Sequence, residues 1–411
     1  MYNVYKIRKQ FPMLNGKTMQ GHPLVYLDNA STTFKPFSVI EKVRKYYEEM
    51  TANSHRGDYD LCFNVEREVE NVRKVVANFI GSKTNEVIFT SGDTESLNLV
   101  AFGYALKYLK EGDGILLSKS EHASNTIPWF KIAEMTKAII YFVDTEKNLI
   151  TPETVRDAFE KHHNIKIASF AHIGNVLGYR IDIETIAKVC HRHNAIIVVD
   201  GAQSVPHIKV NFNELDIDFL TFSAHKMCGP TGVGVLVGKE TILNSMDTFI
   251  TGGGMNEIFN SKGEIIPYNA PRKFEAGTQN LAGILGFKDA IEFLESVGMD
   301  NIEKHERELH NYLLNKIKNC NDIIIYNNDH PSSLFTFNRV DVFAQDEATL
   351  LNSKGIAVRS GQHCAKMLNE MIDEVATVRA SFYLYTTKED VDALADALIK
   401  GGDILDAYFN E

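Results

Sequence analysis

No stretch of this sequence approaches the roughly 18 consecutive apolar residues that a membrane-spanning helix needs. Met1 to Gln10 also lacks the uninterrupted apolar core of a secretory signal. A cytoplasmic chain with no membrane partner is therefore expected. Cysteine is scarce: Cys62, Cys190, Cys228, Cys320 and Cys364 are odd in number, widely scattered and never spaced C-x-x-C. That is poor material for a disulfide framework or a zinc ribbon and fits a reducing compartment. Positive charge is short as well, with 43 Lys and Arg against 54 Asp and Glu and a formal net charge of −11. Extended binding to nucleic acid is disfavoured, although a local pocket for one small anion is not.

Two nucleotide signatures are missing. Gly229 to Gly238 is followed by a strand-like run instead of opening a helix, which disfavours NAD binding. Gly81-Ser82-Lys83-Thr84 lacks the earlier glycine of a phosphate-binding loop. His191 and His193 beside Cys190 read as the polar, solvated end of a helix, so no metal site is expected. Internal repeats and Pro- or Ser-rich linkers are absent, so any domain boundary has to come from a change of pattern.

What is present is 411 residues at 44% apolar content, enough for two to three domain equivalents with sizeable cores. From Glu86 onward short β-branched runs recur at Val87–Phe89, Gly114–Leu117, Ala138–Val143, Ile165–Phe170, Ala195–Val199, Phe219–Phe222 and Val233–Val237. Segments of helical spacing lie between several of them, such as Thr94–Leu109 and Asp182–His193. This is the alternation of a mostly parallel sheet covered by helices. The pattern predicts a large α/β domain over residues 21–283 and a smaller α+β domain over 284–411, with residues 1–20 packing on the latter. The small domain would begin with a long amphipathic helical stretch, Ile284–Lys318, followed by strand-like Ile323–Tyr326, Leu334–Phe337 and Ile356–Val358.

Chemistry-bearing residues gather where the runs end. In Ala195–Gln203 five apolar residues lead straight into Asp200, a carboxylate costly to bury without a cationic or donating partner. The strand end of an open α/β sheet is also where ligands bind. A helix-capping or lysine-paired structural Asp is the alternative. Phe219–Phe222 leads into Ser223, His225 and Lys226, an amine with hydroxyl and imidazole neighbours, and lysine is the side chain that forms Schiff bases. Val87–Thr90 opens into Ser91-Gly92-Asp93-Thr94, a helix start suited to a phosphate but also to ordinary capping. Asp93 is an awkward neighbour for such an anion and would have to face away. Arg359 to Cys364 sets a thiol among Arg and His, surroundings of the kind that favour thiolate, though free cysteine is more often a small buried apolar residue. Arg379, in an apolar setting, suits a bidentate grip on a carboxylate or an internal salt bridge.

These segments together resemble the pyridoxal-phosphate enzymes of the class V aminotransferase superfamily, and most closely the group II (SufS-like) cysteine desulfurases. The resemblance runs over nearly the whole chain: Tyr26–Thr33, His55-Arg56-Gly57, Glu121-His122, Pro128-Trp129, Asn175–Gly178, Val199–Gln203, Ser223–Lys226, Gly229–Gly232, Phe274–Thr278 and Arg359–Cys364. It departs from the usual pattern at Tyr59, Asp93, Ala123 and Gln362. The resemblance implies fold type I and pyridoxal 5'-phosphate as cofactor. It makes Lys226 the Schiff-base lysine, Asp200 the partner of the ring nitrogen and His122 the group stacked on the ring. Gln203 would reach the phenolic oxygen. Gly92, Thr94, Ser223 and His225 would hold the phosphate, and Thr278 would reach that of a partner subunit, which implies a homodimer with shared sites. Asn175, Arg359 and Arg379 would bind the substrate carboxylate. The implied activity converts L-cysteine to alanine and leaves a persulfide on Cys364 for a sulfur-acceptor protein, for instance in iron–sulfur cluster assembly. Two readings stay open beside it. One is another reaction of the superfamily, a selenocysteine lyase, aminotransferase or epimerase in which Cys364 is structural. The other is a catalytically inactive scaffold that keeps the cofactor as a folding element.

Overall fold

The computed structural model describes residues 2–54, 57–146 and 148–402; His55 and Arg56 of the His-Arg-Gly element lie outside them. The seven apolar runs form one sheet: β1 Val87–Thr90, β2 Gly114–Leu117, β3 Ile139–Phe142, β4 Ile165–Ala171, β5 Ile196–Asp200, β6 Phe219–Ser223 and β7 Gly234–Gly238. Their spatial order is β1-β7-β6-β5-β4-β2-β3. Pairings are parallel except that β7 runs antiparallel to both β1 and β6. The strands are near-continuous apolar runs because helices cover both faces. Alternate residues serve two cores: Ile88, Ile115, Ile167, Val198 and Leu236 on one side, Val87, Phe89, Ile197, Val199 and Val235 on the other.

This topology sends the C-terminal ends of β1, β2, β4, β5 and β6 to the same edge, the usual place for a ligand in an open α/β sheet. Helix α1, Asp93–Val100, starts directly off β1. Its approach to the sheet depends on β7, where a Cβ on Gly234 would stand 2.4 Å from the backbone of Gly92. Only glycine lets the strand pass so close to the helix start.

The predicted stretch Ile284–Lys318 is not one helix. It divides into α2, Leu281–Val297, and α3, Met299–Ile317, at Gly298, whose φ of 87° is a left-handed conformation that costs glycine little. Helix α2 packs in the large core with Leu281, Leu285, Phe287 and Leu294, whereas Leu309 and Leu313 of α3 join a second core. That core lies on a four-stranded sheet of β8 Ile323–Ile325, β9 Leu334–Arg339, β10 Arg359–Gly361 and β11 Thr377–Ser381, ordered β8-β9-β11-β10. Ile356–Ala357, expected in the same group, pairs instead in parallel with Val25–Tyr26. Near the N-terminus Phe11 enters the large core, while Arg8 pairs with Asp390 at 2.6 Å. His191 is not a solvated helix end, since its ring lies 2.9 Å from Asp218 and 3.4 Å from Asp216.

The segment Phe274–Thr278 is anchored by a buried ion pair. Arg73 Nη1 and Nη2 donate to Glu275 Oε1 and Oε2 at 2.7 and 2.8 Å, and the Phe89 N–H of β1 donates to the same Oε1 at 2.8 Å. Arg73→Met should leave Glu275 buried without its cation. The expected loss is about 3–5 kcal/mol, read as a shift in the urea-unfolding free energy; a change under about 1 kcal/mol would show that the pair does not anchor this segment.

Candidate active site

Five strand ends converge on one cavity of about 210 Å³. From β5 comes Asp200, 5% exposed, whose Oδ1 accepts the Ala202 N–H at 2.9 Å. Burial holds this carboxyl above the usual carboxylate range, with the Ala202 N–H and the Lys226 amine opposing. From the turn after β6 comes Lys226. It keeps some exposure to the cavity, yet loss of surrounding water still draws its amine below the usual lysine range, with Asp200 and Asp93 pulling the other way. Beyond β2 stands His122, which caps the 3₁₀ turn Ala123–Asn125 by accepting the Ser124 N–H on Nδ1 at 3.1 Å. Burial and the cations Lys226, Arg359 and Arg379 bring His122 down to about 4, so at neutral pH it is an uncharged ring.

Beneath His122 is a buried network. Glu121 Oε2 accepts from Asn125 Nδ2 at 2.7 Å and from the Ala171 N–H at 2.8 Å, and Asn125 Oδ1 accepts from Trp129 Nε1 and Ser169 Oγ. These bonds fix the turn to β4 and so fix the imidazole over the cavity. At the start of α1, Thr94 bonds Ser124 at 2.8 Å, and Ser223 Oγ accepts the Asp93 N–H at 2.7 Å. His225 lies 3.2 Å from Thr32, and Gln203 donates to the Ala30 carbonyl at 2.8 Å while its Oε1 is buried without a partner.

The small sheet supplies the opposite wall. Arg359 and Arg379 face each other across the antiparallel pair β10 and β11, where two like charges repel. Both donate to the single hydroxyl of Ser31, at 2.9 and 3.2 Å, and Asp28 reaches Arg379 at 3.4 Å. Arg379 is 2% exposed and its Nε has no partner; burial, with Arg359 opposite, lowers it to about 10 despite Asp28. Two guanidiniums so placed call for a carboxylate between them. Arg379 also donates to the Asn175 carbonyl at 2.6 Å, and Asn175 Nδ2 donates to the His363 carbonyl at 2.9 Å.

Cys364 stands outside the cavity lining, exposed on its rim, with Arg359 Nη2 at 3.7 Å from its sulfur. His363 and Cys364 both hold positive φ, 49° and 57°, a conformation non-glycine residues keep only when their surroundings impose it. Here the Ala123 N–H bonds the Cys364 carbonyl at 2.7 Å and Asn175 holds His363. His363 points its Nε2 inward to Thr377 at 3.0 Å, so of the expected Arg and His neighbours only Arg359 touches the thiol.

Of the residues singled out in the sequence, Thr94, His122, Asn175, Asp200, Gln203, Ser223, His225, Lys226, Arg359 and Arg379 line this one cavity. Gly92 contributes backbone at the helix start, outside the lining, and Thr278 is exposed away from it. Sequence reasoning gave no role to Ser31, Ser124 or Asp28; for Asp28 and Ser31 the polar run directly after Leu27 was the available signal. The lining fits pyridoxal phosphate. A buried carboxylate matches the ring nitrogen, an amine with lowered proton affinity matches the aldehyde, a neutral imidazole matches the ring face, and a helix start with hydroxyls matches the phosphate.

Fold and site together define a pyridoxal-phosphate-dependent protein of fold type I. The chain belongs to the aminotransferase class-V family, which matches residues 25–394. It is 44% identical to a protein of Halalkalibacterium halodurans named "Probable cysteine desulfurase", over 97% of this chain and 98% of that one. It is 41% identical to a protein of the same name from Staphylococcus aureus, over 97% and 96%. Among solved structures it is similar to the cysteine desulfurase CsdA of Escherichia coli, with 33% identity, TM-score 0.89 and coverage of 97% and 98%. It is also similar to a cysteine desulfurase of Thermococcus onnurineus NA1 in its apo form, with 32% identity, TM-score 0.91 and the same coverage.

The neutrality of His122 is open to a direct check. An unperturbed histidine protonates near ~6.5; His122 should stay neutral until the pH falls to about 4. As pH falls, the unfolded chain takes up this proton first, so His122 costs stability from about 6.5 downward and contributes none above it. Imidazole nitrogen shifts of histidine-labelled protein, assigned with His122→Asn, would report the titration. A midpoint above 6 would contradict the desolvation described here.

Proposed function

We propose that the protein is a cysteine desulfurase that takes the sulfur of L-cysteine, releases alanine and carries the sulfur as a persulfide on Cys364 to an acceptor protein. The observation that carries this reading is the placement of Cys364: an exposed thiol on a strained, tightly held turn, beside Arg359 and at the mouth of the cavity that contains Lys226 and Asp200. A transaminating site has no use for such a thiol.

When bound, pyridoxal phosphate supplies an electron sink that makes the substrate Cα–H and Cβ–S bonds breakable. Lys226 would hold the cofactor, Asp200 its ring nitrogen and His122 its ring face. Gly92, Thr94, Ser223 and His225 would hold its phosphate, with Thr278 serving the phosphate of a partner protomer in a homodimer. Asn175, Arg359 and Arg379 hold the substrate carboxylate, which fixes the amino acid's orientation and leaves its sulfur toward the rim. Lys226, whose amine is drawn below the usual lysine range by burial, accepts the α-proton and returns one to carbon. The Cys364 thiolate attacks the substrate sulfur: an S–S bond forms, the Cβ–S bond breaks, and its electron pair stays on carbon, which takes up a proton to become the methyl group of alanine. Cysteine plus the Cys364 thiol thus gives alanine plus the Cys364 persulfide, with no external oxidant. The exposed rim lets an acceptor thiol collect the sulfur in the cytoplasm, for uses such as iron–sulfur cluster assembly.

Purified protein mixed with L-cysteine and a thiol reductant should release alanine and sulfide in equal amounts. Cys364→Ser should retain the cofactor's visible absorbance while both products fall to the buffer background. Undiminished turnover in that variant would refute the persulfide reading, and no turnover in the parent protein would leave the scaffold reading standing.

A further inference from the structure

The cavity contains a second buried acid that the proposed chemistry does not use. Asp93, at the first position of α1, is 8% exposed and lines the same cavity as Asp200 and Lys226. Its Oδ1 is wholly buried with no hydrogen bond of ordinary geometry, and the Thr221 hydroxyl on β6, close enough to influence it, is buried without one as well. The side chain is not acting as a helix cap: the N-cap is Gly92, and it is the Asp93 backbone N–H that is satisfied, by Ser223 Oγ.

Resting on the reading that this cavity holds pyridoxal phosphate, we propose that Asp93 is a positioning residue carried as a neutral acid beside the Asp200 carboxylate. The pair then holds one negative charge for the cofactor's ring cation and adds none near its phosphate, and an ionised Asp93 loosens the cofactor.

Magnitudes favour the neutral form. The start of α1 stabilises a carboxylate by roughly 0.3–1 kcal/mol, whereas burying an unpaired carboxylate costs several kcal/mol. Two carboxyls in one site also cannot both ionise freely. Burial first, and the Asp200 charge next, push Asp93 up to about 8, with Thr221 and Lys226 opposing. On its own helix Glu95 turns away, accepting the Ser91 N–H at 2.8 Å. From the neighbouring turns His122 and His225, both brought down to about 4, are uncharged at the relevant pH, and Arg359 and Arg379 on the far wall remain cationic. Glu121 is also raised to about 8, chiefly by burial. Its titration is common to parent and variant, so the difference between them isolates Asp93.

The test is retention of pyridoxal phosphate by the full-length holoprotein between pH 7 and 9.5. The dissociation constant would be obtained by dialysis and the pH dependence of the bound cofactor's visible band recorded alongside. For the parent protein the constant should rise about tenfold per pH unit above the Asp93 midpoint, relative to Asp93→Asn, whose profile should be flatter. Asp93→Ser serves as a second variant should the amide not fold, with far-ultraviolet circular dichroism as the control. Parallel profiles for parent and both variants would overturn the proposal. Failure of the parent protein to bind the cofactor at any pH would overturn the cofactor reading itself, and the proposal with it.

Discussion

The structure is organised around keeping Asp200 and Lys226 in one poorly hydrated cavity at the ends of adjacent strands. A buried carboxylate and a poorly hydrated amine each lose hydration, and their mutual attraction recovers only part of it. Burial dominates both: the acid is shifted up and the amine down. Such a pair suits a cationic ring nitrogen at one end and an electrophile for its amine at the other. The rest of the fold can be understood as the frame that holds this pair in place, from the parallel sheet that aligns the strand ends to the Gly234 contact that brings the α1 start within reach.

The second wall shows the same logic with the opposite sign. Arg359 and Arg379 are forced together by the β10–β11 register and satisfied only in part by Ser31 and Asp28. A demand for an anion therefore sits across from a demand for a cation. A zwitterionic amino acid, with a cofactor whose ring is cationic and whose tail is a phosphate, answers both demands. The two walls come from different sheets and are joined by contacts such as Arg379 to the Asn175 carbonyl and the Asn175 amide to the His363 carbonyl.

The rim turn at His363 and Cys364 has a different character. Its left-handed backbone is stabilised from outside, by Ala123 and Asn175, not by its own sequence. Strain held in this way keeps an exposed thiol at a fixed spot, because relaxation of the turn would break its bonds to Ala123 and Asn175. It also separates His363 from the thiol, turning it to Thr377 as a structural group. The expectation of an imidazole next to the sulfur came from sequence adjacency, which carries no information about which way a turn points.

How far the amino-acid order alone reaches follows from the range of the forces involved. Period and apolar content are local, so the strand runs, the acid that ends Ile196–Asp200 and the Ser223–Lys226 cluster could be read directly, as could the helical character of Ile284–Lys318. Its break at Gly298 was less visible, because a single glycine in a periodic stretch can be tolerated or can terminate the helix depending on what packs beyond it. The pairing of Arg73 with Glu275, the opposition of Arg359 and Arg379 and the presence of Asp93 in the same cavity as Asp200 were decided only by the tertiary structure. Each depends on strand order and register, which bring residues distant in the chain into contact, and no spacing along the chain encodes that distance.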